Sequence, residues 1–120
     1  MRRVLGGLPL LILASCASAG TAEEFTWAVD CPKSVDKGAE FAFTVRTSRP
    51  GGAEAPGVPY RFQISWAGAS GSPLRHRGTS GAAAKLHARM TPGPATLVVT
   101  CPDREGLDVK VAEVTFEVKP

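Results

Sequence analysis

Apolar residues fall at every second position over most of the chain, the pattern of strands that bury one face. Phe25, Trp27, Val29 and Cys31 share one parity against Glu24, Thr26, Ala28 and Asp30. After the turn signal Asp36-Lys37-Gly38, Phe41, Phe43 and Val45 alternate with Glu40, Ala42, Thr44 and Arg46. The longest unbroken alternation sets Val58, Tyr60, Phe62, Ile64 and Trp66 against Pro59, Arg61, Gln63, Ser65 and Ala67, and this run is expected to be the central strand. Ala84, Leu86, Ala88 and Met90 form a weaker apolar face opposite Lys85, His87 and Arg89, although residues 82–90 also favour helix. Thr91-Pro92-Gly93-Pro94 is expected to form a turn. Beyond it, Ala95, Leu97, Val99 and Cys101 take the inward phase. Leu107, Val109 and Val111 are odd-numbered whereas Val114, Phe116 and Val118 are even, so a β-bulge is predicted near Ala112-Glu113. The fold class is therefore all-β, with six to seven antiparallel strands in two packed sheets.

Residues 1–15 do not share this pattern. Arg2 and Arg3 precede an apolar run over residues 4–14, as in a helical secretory signal peptide. A permanent span needs about 20 apolar residues, and Gly6, Gly7 and Pro9 weaken this run as a helix. Leu13-Ala14-Ser15-Cys16, placed at its end, resembles the lipobox of bacterial lipoproteins. The resemblance implies cleavage before Cys16, lipidation of that thiol, and a membrane-anchored location in the cell envelope. Ala17 as the next residue is compatible with the outer membrane where a cell has one. Ala17-Ser18-Ala19 before Gly20 also fits soluble secretion, so both cleavage sites stay open. The organisation that follows is a signal peptide over 1–15, a lipidated terminus and short linker over 16–23, and one domain over 24–120.

With Cys16 lipidated, Cys31 and Cys101 remain. In an oxidising compartment an even pair suggests a disulfide, which would close a loop of about 70 residues and contribute roughly 4 kcal/mol. Two buried free thiols are the alternative. If every strand simply reversed direction, the two cysteines would lie at opposite poles. The bridge thus requires a kink at Pro32, the favoured route, or a crossing between sheets over residues 74–79. Neither cysteine has a second Cys or His at metal-ligand spacing, so no metal and no cofactor is expected.

Short strands with turns every eight to twelve residues suit immunoglobulin-like topology. The segments Asp36-Lys37-Gly38-Ala39-Glu40-Phe41, Ala55-Pro56-Gly57-Val58-Pro59-Tyr60-Arg61-Phe62, Thr79-Ser80-Gly81-Ala82-Ala83 and Thr91-Pro92-Gly93-Pro94-Ala95-Thr96-Leu97-Val98-Val99 resemble bacterial Ig-like domains. That resemblance implies a β-sandwich used as an adhesin stalk, an extracellular spacer or a carbohydrate-associated module. It assigns no activity by itself. Antibody-type domains match less well, because the cysteines fall on the first and penultimate strands.

Of the 14 Lys and Arg residues, Arg2 and Arg3 belong to the leader, which leaves the mature chain close to neutral against 11 acids. Charge is nevertheless segregated. Residues 46–89 carry Arg46, Arg49, Arg61, Arg75, Arg77, Lys85 and Arg89 against Glu54 alone, between acidic flanks. Outward parity places Arg61, Lys85 and Arg89 on strands, with Arg75-His76-Arg77 on the connection between them. If Arg61, Arg75, Arg77, Lys85 and Arg89 gather on one sheet, they form a patch for a polyanion. Tyr60 and Phe62 are committed to the core, which argues against base stacking and nucleic acid. His76 and His87 read as solvated surface residues, and Gly68-Ala69-Ser70-Gly71-Ser72 lacks the order of a nucleophile elbow, so no catalytic set is expected. Three functions follow as expectations: a lipid-anchored envelope module acting structurally or by interaction, an envelope inhibitor or accessory subunit with one enzyme partner, and a secreted binding domain. The partners these imply are the membrane through the N-terminal lipid, an envelope protein, or an anionic glycan.

Overall fold

The alternating runs become strands wherever a neighbour can complete their backbone hydrogen bonds. The computed structural model describes residues 21–66 and 73–120; the leader, Cys16 and the connection from Gly68 to Ser72 lie outside the described residues. A short 3₁₀ turn, Ala22–Glu24, precedes β1 (Thr26–Asp30), β2 (Ser34–Asp36), β3 (Glu40–Ser48), β4 (Pro59–Trp66), β5 (Leu74–Thr79), β6 (Ala83–His87), β7 (Gly93–Pro102) and β8 (Asp108–Lys119). They form a three-stranded sheet, β1-β3-β6, and a five-stranded sheet, β2-β8-β7-β4-β5. Aromatic contacts join the two: Phe43 meets Phe62 edge-on at 4.9 Å between ring centroids, and Phe41 lies 5.3 Å from Phe116. Trp66 closes on Phe116 from the same sheet at 5.9 Å. Such pairs add roughly 0.5–1.5 kcal/mol each beyond area burial, so the aromatic seam fixes how the two sheets face each other.

Eight strands among the described residues exceed the six or seven expected, for two reasons. Pro32 cannot donate to a ladder, so β1 stops pairing with β3 at Asp30↔Thr44. The chain then changes sheet, and Ser34–Asp36 pairs with β8 in parallel, the one departure from the antiparallel arrangement expected. This is the kink at Pro32. The second addition is β5, expected as a connection but hydrogen-bonded along β4 from Pro59↔Thr79 to Ile64↔Leu74. Its sequence, Leu-Arg-His-Arg-Gly-Thr, has no apolar alternation. It needs none, because it is an edge strand.

Three further expectations are corrected. β4 alternates as anticipated but is not central; β7 is, flanked by β8 and β4 and holding Leu97, Val99 and Cys101 at 0% exposure. The 82–90 segment is extended and not helical, because Ala84 and Leu86 pair opposite Phe43 and Phe41 on β3 and tertiary pairing overrides local propensity. Met90, expected to face inward, lies beyond the end of β6 and is 66% exposed, with its sulfur against Gly38. Gly38 itself, at φ +72°, makes the turn that begins at Asp36.

The bulge is present one residue from the predicted position. Val99 faces Ala112 and Thr100 faces Lys110, which leaves Val111 as the extra residue and keeps Phe116 and Val118 buried. Leu107 and Val109, on the hairpin side of it, are exposed.

Two buried polar side chains tie the β3–β4 connection to the turn before β6. Thr47 Oγ1 lies 2.7 Å from both the Ala55 carbonyl oxygen and Ser80 Oγ, and the Val58 N–H donates to Ser80 Oγ at 2.9 Å. Every group is satisfied if Thr47 donates to Ala55 and Ser80 to Thr47.

Candidate functional site

The alternation of β4 buries Tyr60, Phe62, Ile64 and Trp66 and so sends Arg61, Gln63 and Ser65 to the outer face of the five-stranded sheet. Cross-strand partners share a face. The register sets Arg77 opposite Arg61 and Arg75 opposite Gln63, so three guanidinium groups and one amide occupy the corners of a single patch. They line a shallow depression of about 420 Å³ shared with Val98, Thr100 and Asp108. Arg61 reaches Asp108 at 2.9 Å, and the Arg75 Nε–H donates to Gln63 Oε1 at 3.3 Å. Neither Arg75 nor Arg77 pairs with a carboxylate among the described residues, which include all the Asp and Glu side chains of the chain.

The outer face of the three-stranded sheet shows the contrast. There Arg46 is held between Asp30 at 3.5 Å and Glu54 at 2.8 Å, both of which raise its pKa. One cation with two carboxylates is a closed surface network. Three cations with one carboxylate are not.

The five-residue patch does not gather on one sheet. The chain crosses between sheets in the turn at Ser80–Ala82, so Lys85 stands on β6 opposite Ala42, and Arg89 follows that strand with its carbonyl accepting from the Gly38 N–H. Lys85 instead borders a cleft of about 550 Å³ along the open side of the sandwich, together with Arg77, His76 and His87. His76 lies 6.1 Å from the Phe62 ring and is exposed, because β5 extends past the cover of the smaller sheet. His87 is exposed and pairs opposite Glu40. No group of three or more His, Cys, Asp or Glu among the described residues could hold a metal ion.

The expected Cys31–Cys101 disulfide is not formed; both thiols are free. Register explains it. Cys101 has its sulfur 3.8 Å from the Pro59 carbonyl oxygen, at the Tyr60 end of β4. The Thr47–Ser80–Val58 network sets Thr47, whose partner on β1 is Trp27, beside the start of β4, with Val45 and its partner Val29 two residues further along. Cys31 lies two residues beyond Val29, past the last β1–β3 pair, so the two thiols sit at different heights in the sandwich. Burial pushes both thiols above their ordinary pKa, with Asp108, Glu23 and Glu24 adding to the effect at Cys101.

Of the five cations expected to gather, Arg61, Arg75 and Arg77 share one face, and Lys85 and Arg89 lie with the other sheet. The signal missed in the sequence is Arg75 and Arg77 at a spacing of two, the mark of a strand with a charged outer face. Compared with known proteins, the chain matches no family model, no curated protein and no solved structure.

Proposed function

We propose that this is an exported cell-envelope protein, lipid-anchored through Cys16, whose single immunoglobulin-like β-sandwich acts as a structural or interaction module. The observation that carries the fold part is the strand order. A sheet β1-β3-β6 facing β2-β8-β7-β4-β5 supports this reading, because an immunoglobulin-type sandwich whose first strand is shared between the sheets and whose β4 side carries one added edge strand would have that order.

The anchor rests on the leader and on Leu13-Ala14-Ser15-Cys16. Four residues separate Cys16 from Thr21, five Cα steps or at most about 18 Å of extended chain. The described residues open with Thr21 and the Ala22–Glu24 turn, and buried Phe25 lies under the Arg49 guanidinium at 5.6 Å. A tether this short holds the domain close to the bilayer surface. Labelled palmitate supplied to producing cells should enter the wild-type protein and not Cys16→Ser. Equal labelling of both, or of neither, would overturn the anchor.

A further inference from the structure

We propose that the Arg61, Arg75 and Arg77 face of the five-stranded sheet is a binding site for a linear anionic glycan, one bearing sulfate, phosphate or uronate groups. The site deepens the reading of an exported interaction module and depends on it only for where such a ligand is met.

Like charges placed directly opposite on neighbouring strands are destabilising, yet the register fixes Arg61 against Arg77. Asp108 neutralises one of the three guanidinium groups, which leaves an excess of two positive charges in one depression. Arg75 and Arg77 stand two residues apart, about 7 Å along the strand, and each presents a planar fork suited to an oxyanion. Two adjacent anionic groups on a polymer match this spacing.

The surroundings select a saccharide. Gln63, Ser65, Thr96 and Thr100 continue the same outer face with hydroxyl and amide groups, and half-buried Val98 sits among them as a small apolar spot. That combination meets sugar hydroxyls and the C–H face of a ring. The surface is an open sheet and not an enclosed pocket, as a polymer requires. A bilayer is less well matched, because the exposed large apolar residues, Met90, Leu107 and Val109, do not line the depression and a membrane-surface site needs an apolar anchor.

The test uses the mature protein as isolated from its host, whichever N-terminus it carries, so the result does not depend on lipidation. Heparin is titrated into wild type, Arg75→Gln/Arg77→Gln, and the charge-matched control Lys85→Gln/Arg89→Gln, with uncharged dextran and phosphatidylglycerol vesicles as comparison ligands. Loss of two charge-assisted contacts should weaken heparin binding by about tenfold or more. The control should stay within about twofold of wild type, and the melting temperature of Arg75→Gln/Arg77→Gln should not fall. If that variant does melt lower, Arg75→Lys/Arg77→Lys, which keeps charge but loses the forks, must still bind about threefold or more weakly. Equal losses in the two charge-matched variants would overturn the site, as would heparin binding no tighter than dextran. Vesicles binding as tightly as heparin through the same arginines would assign the face to a membrane and overturn the glycan.

Discussion

Gly78→Ala adds one methyl group at the point where the edge strand crosses the Tyr60 ring. Tyr60 is 2% exposed and pairs opposite Gly78, and its ring occupies the space a side chain at 78 would take. A Cβ there would lie 2.5 Å from Tyr60 Cζ and 2.9 Å from Cε1, against about 3.5–4.0 Å for an ordinary carbon contact. Either the ring or β5 must move by about 1 Å, and overpacking of this kind costs roughly 1–3 kcal/mol. At about 4–8 °C per kcal/mol for a domain of this size, the melting temperature should fall by at least about 4 °C. Equilibrium urea unfolding of Gly78→Ala, Tyr60→Val and the double variant isolates the cause. With the ring removed, Ala at 78 should be neutral or better than Gly by about 0.5–1 kcal/mol, the intrinsic strand preference. A cost that is the same in both backgrounds would refute the ring contact as its origin.

Other expectations follow from the same geometry. Ser80→Ala strands the buried Val58 N–H and unpairs Thr47, and should cost about 1–3 kcal/mol in urea unfolding; Thr47→Val should cost a similar amount, with the double variant less than additive. A loss below about 0.5 kcal/mol for both would show that the network is not sealed. Arg77→Thr relieves the pair with Arg61 and should raise stability by about 0.2–1 kcal/mol at low salt, a gain that shrinks as salt screens the charges; destabilisation would count against an uncompensated cation cluster. Because burial raises the Cys31 and Cys101 thiols above 9.0, the native state keeps protons that the unfolded chain releases. Stability is therefore whole below about pH 9 and declines as pH rises, with Tyr60, also raised by burial, adding the same sign above about pH 10. Cys31→Ala/Cys101→Ala should show a smaller decline, and alkylation of the denatured, unreduced protein should label both thiols; protection of both would restore the disulfide.

Period-two patterning made the layered all-β fold legible because a buried face leaves a mark at every other residue. It placed Phe41, Phe43 and Val45, the whole of β4, and the parity change in β8 that demanded a bulge. It failed where strands lack a buried face of their own. β2 contributes only Val35 to the core, and β5 contributes Leu74 and a glycine under Tyr60, so neither has a pattern to read. Composition located the cations, but which of them share a surface depends on the sheet change at Ser80–Ala82, a three-dimensional fact. Setting Cys16 aside leaves an even pair of cysteines, whereas bridging depends on register to within a residue or two, and no local signal encodes that.

Intact-mass analysis of the protein recovered from cell envelopes would report its N-terminus directly. A chain beginning at Cys16 and carrying the added mass of a lipid is predicted. A chain beginning at Gly20, or one that keeps its leader with Cys16 unmodified, would contradict the lipid-anchored envelope module.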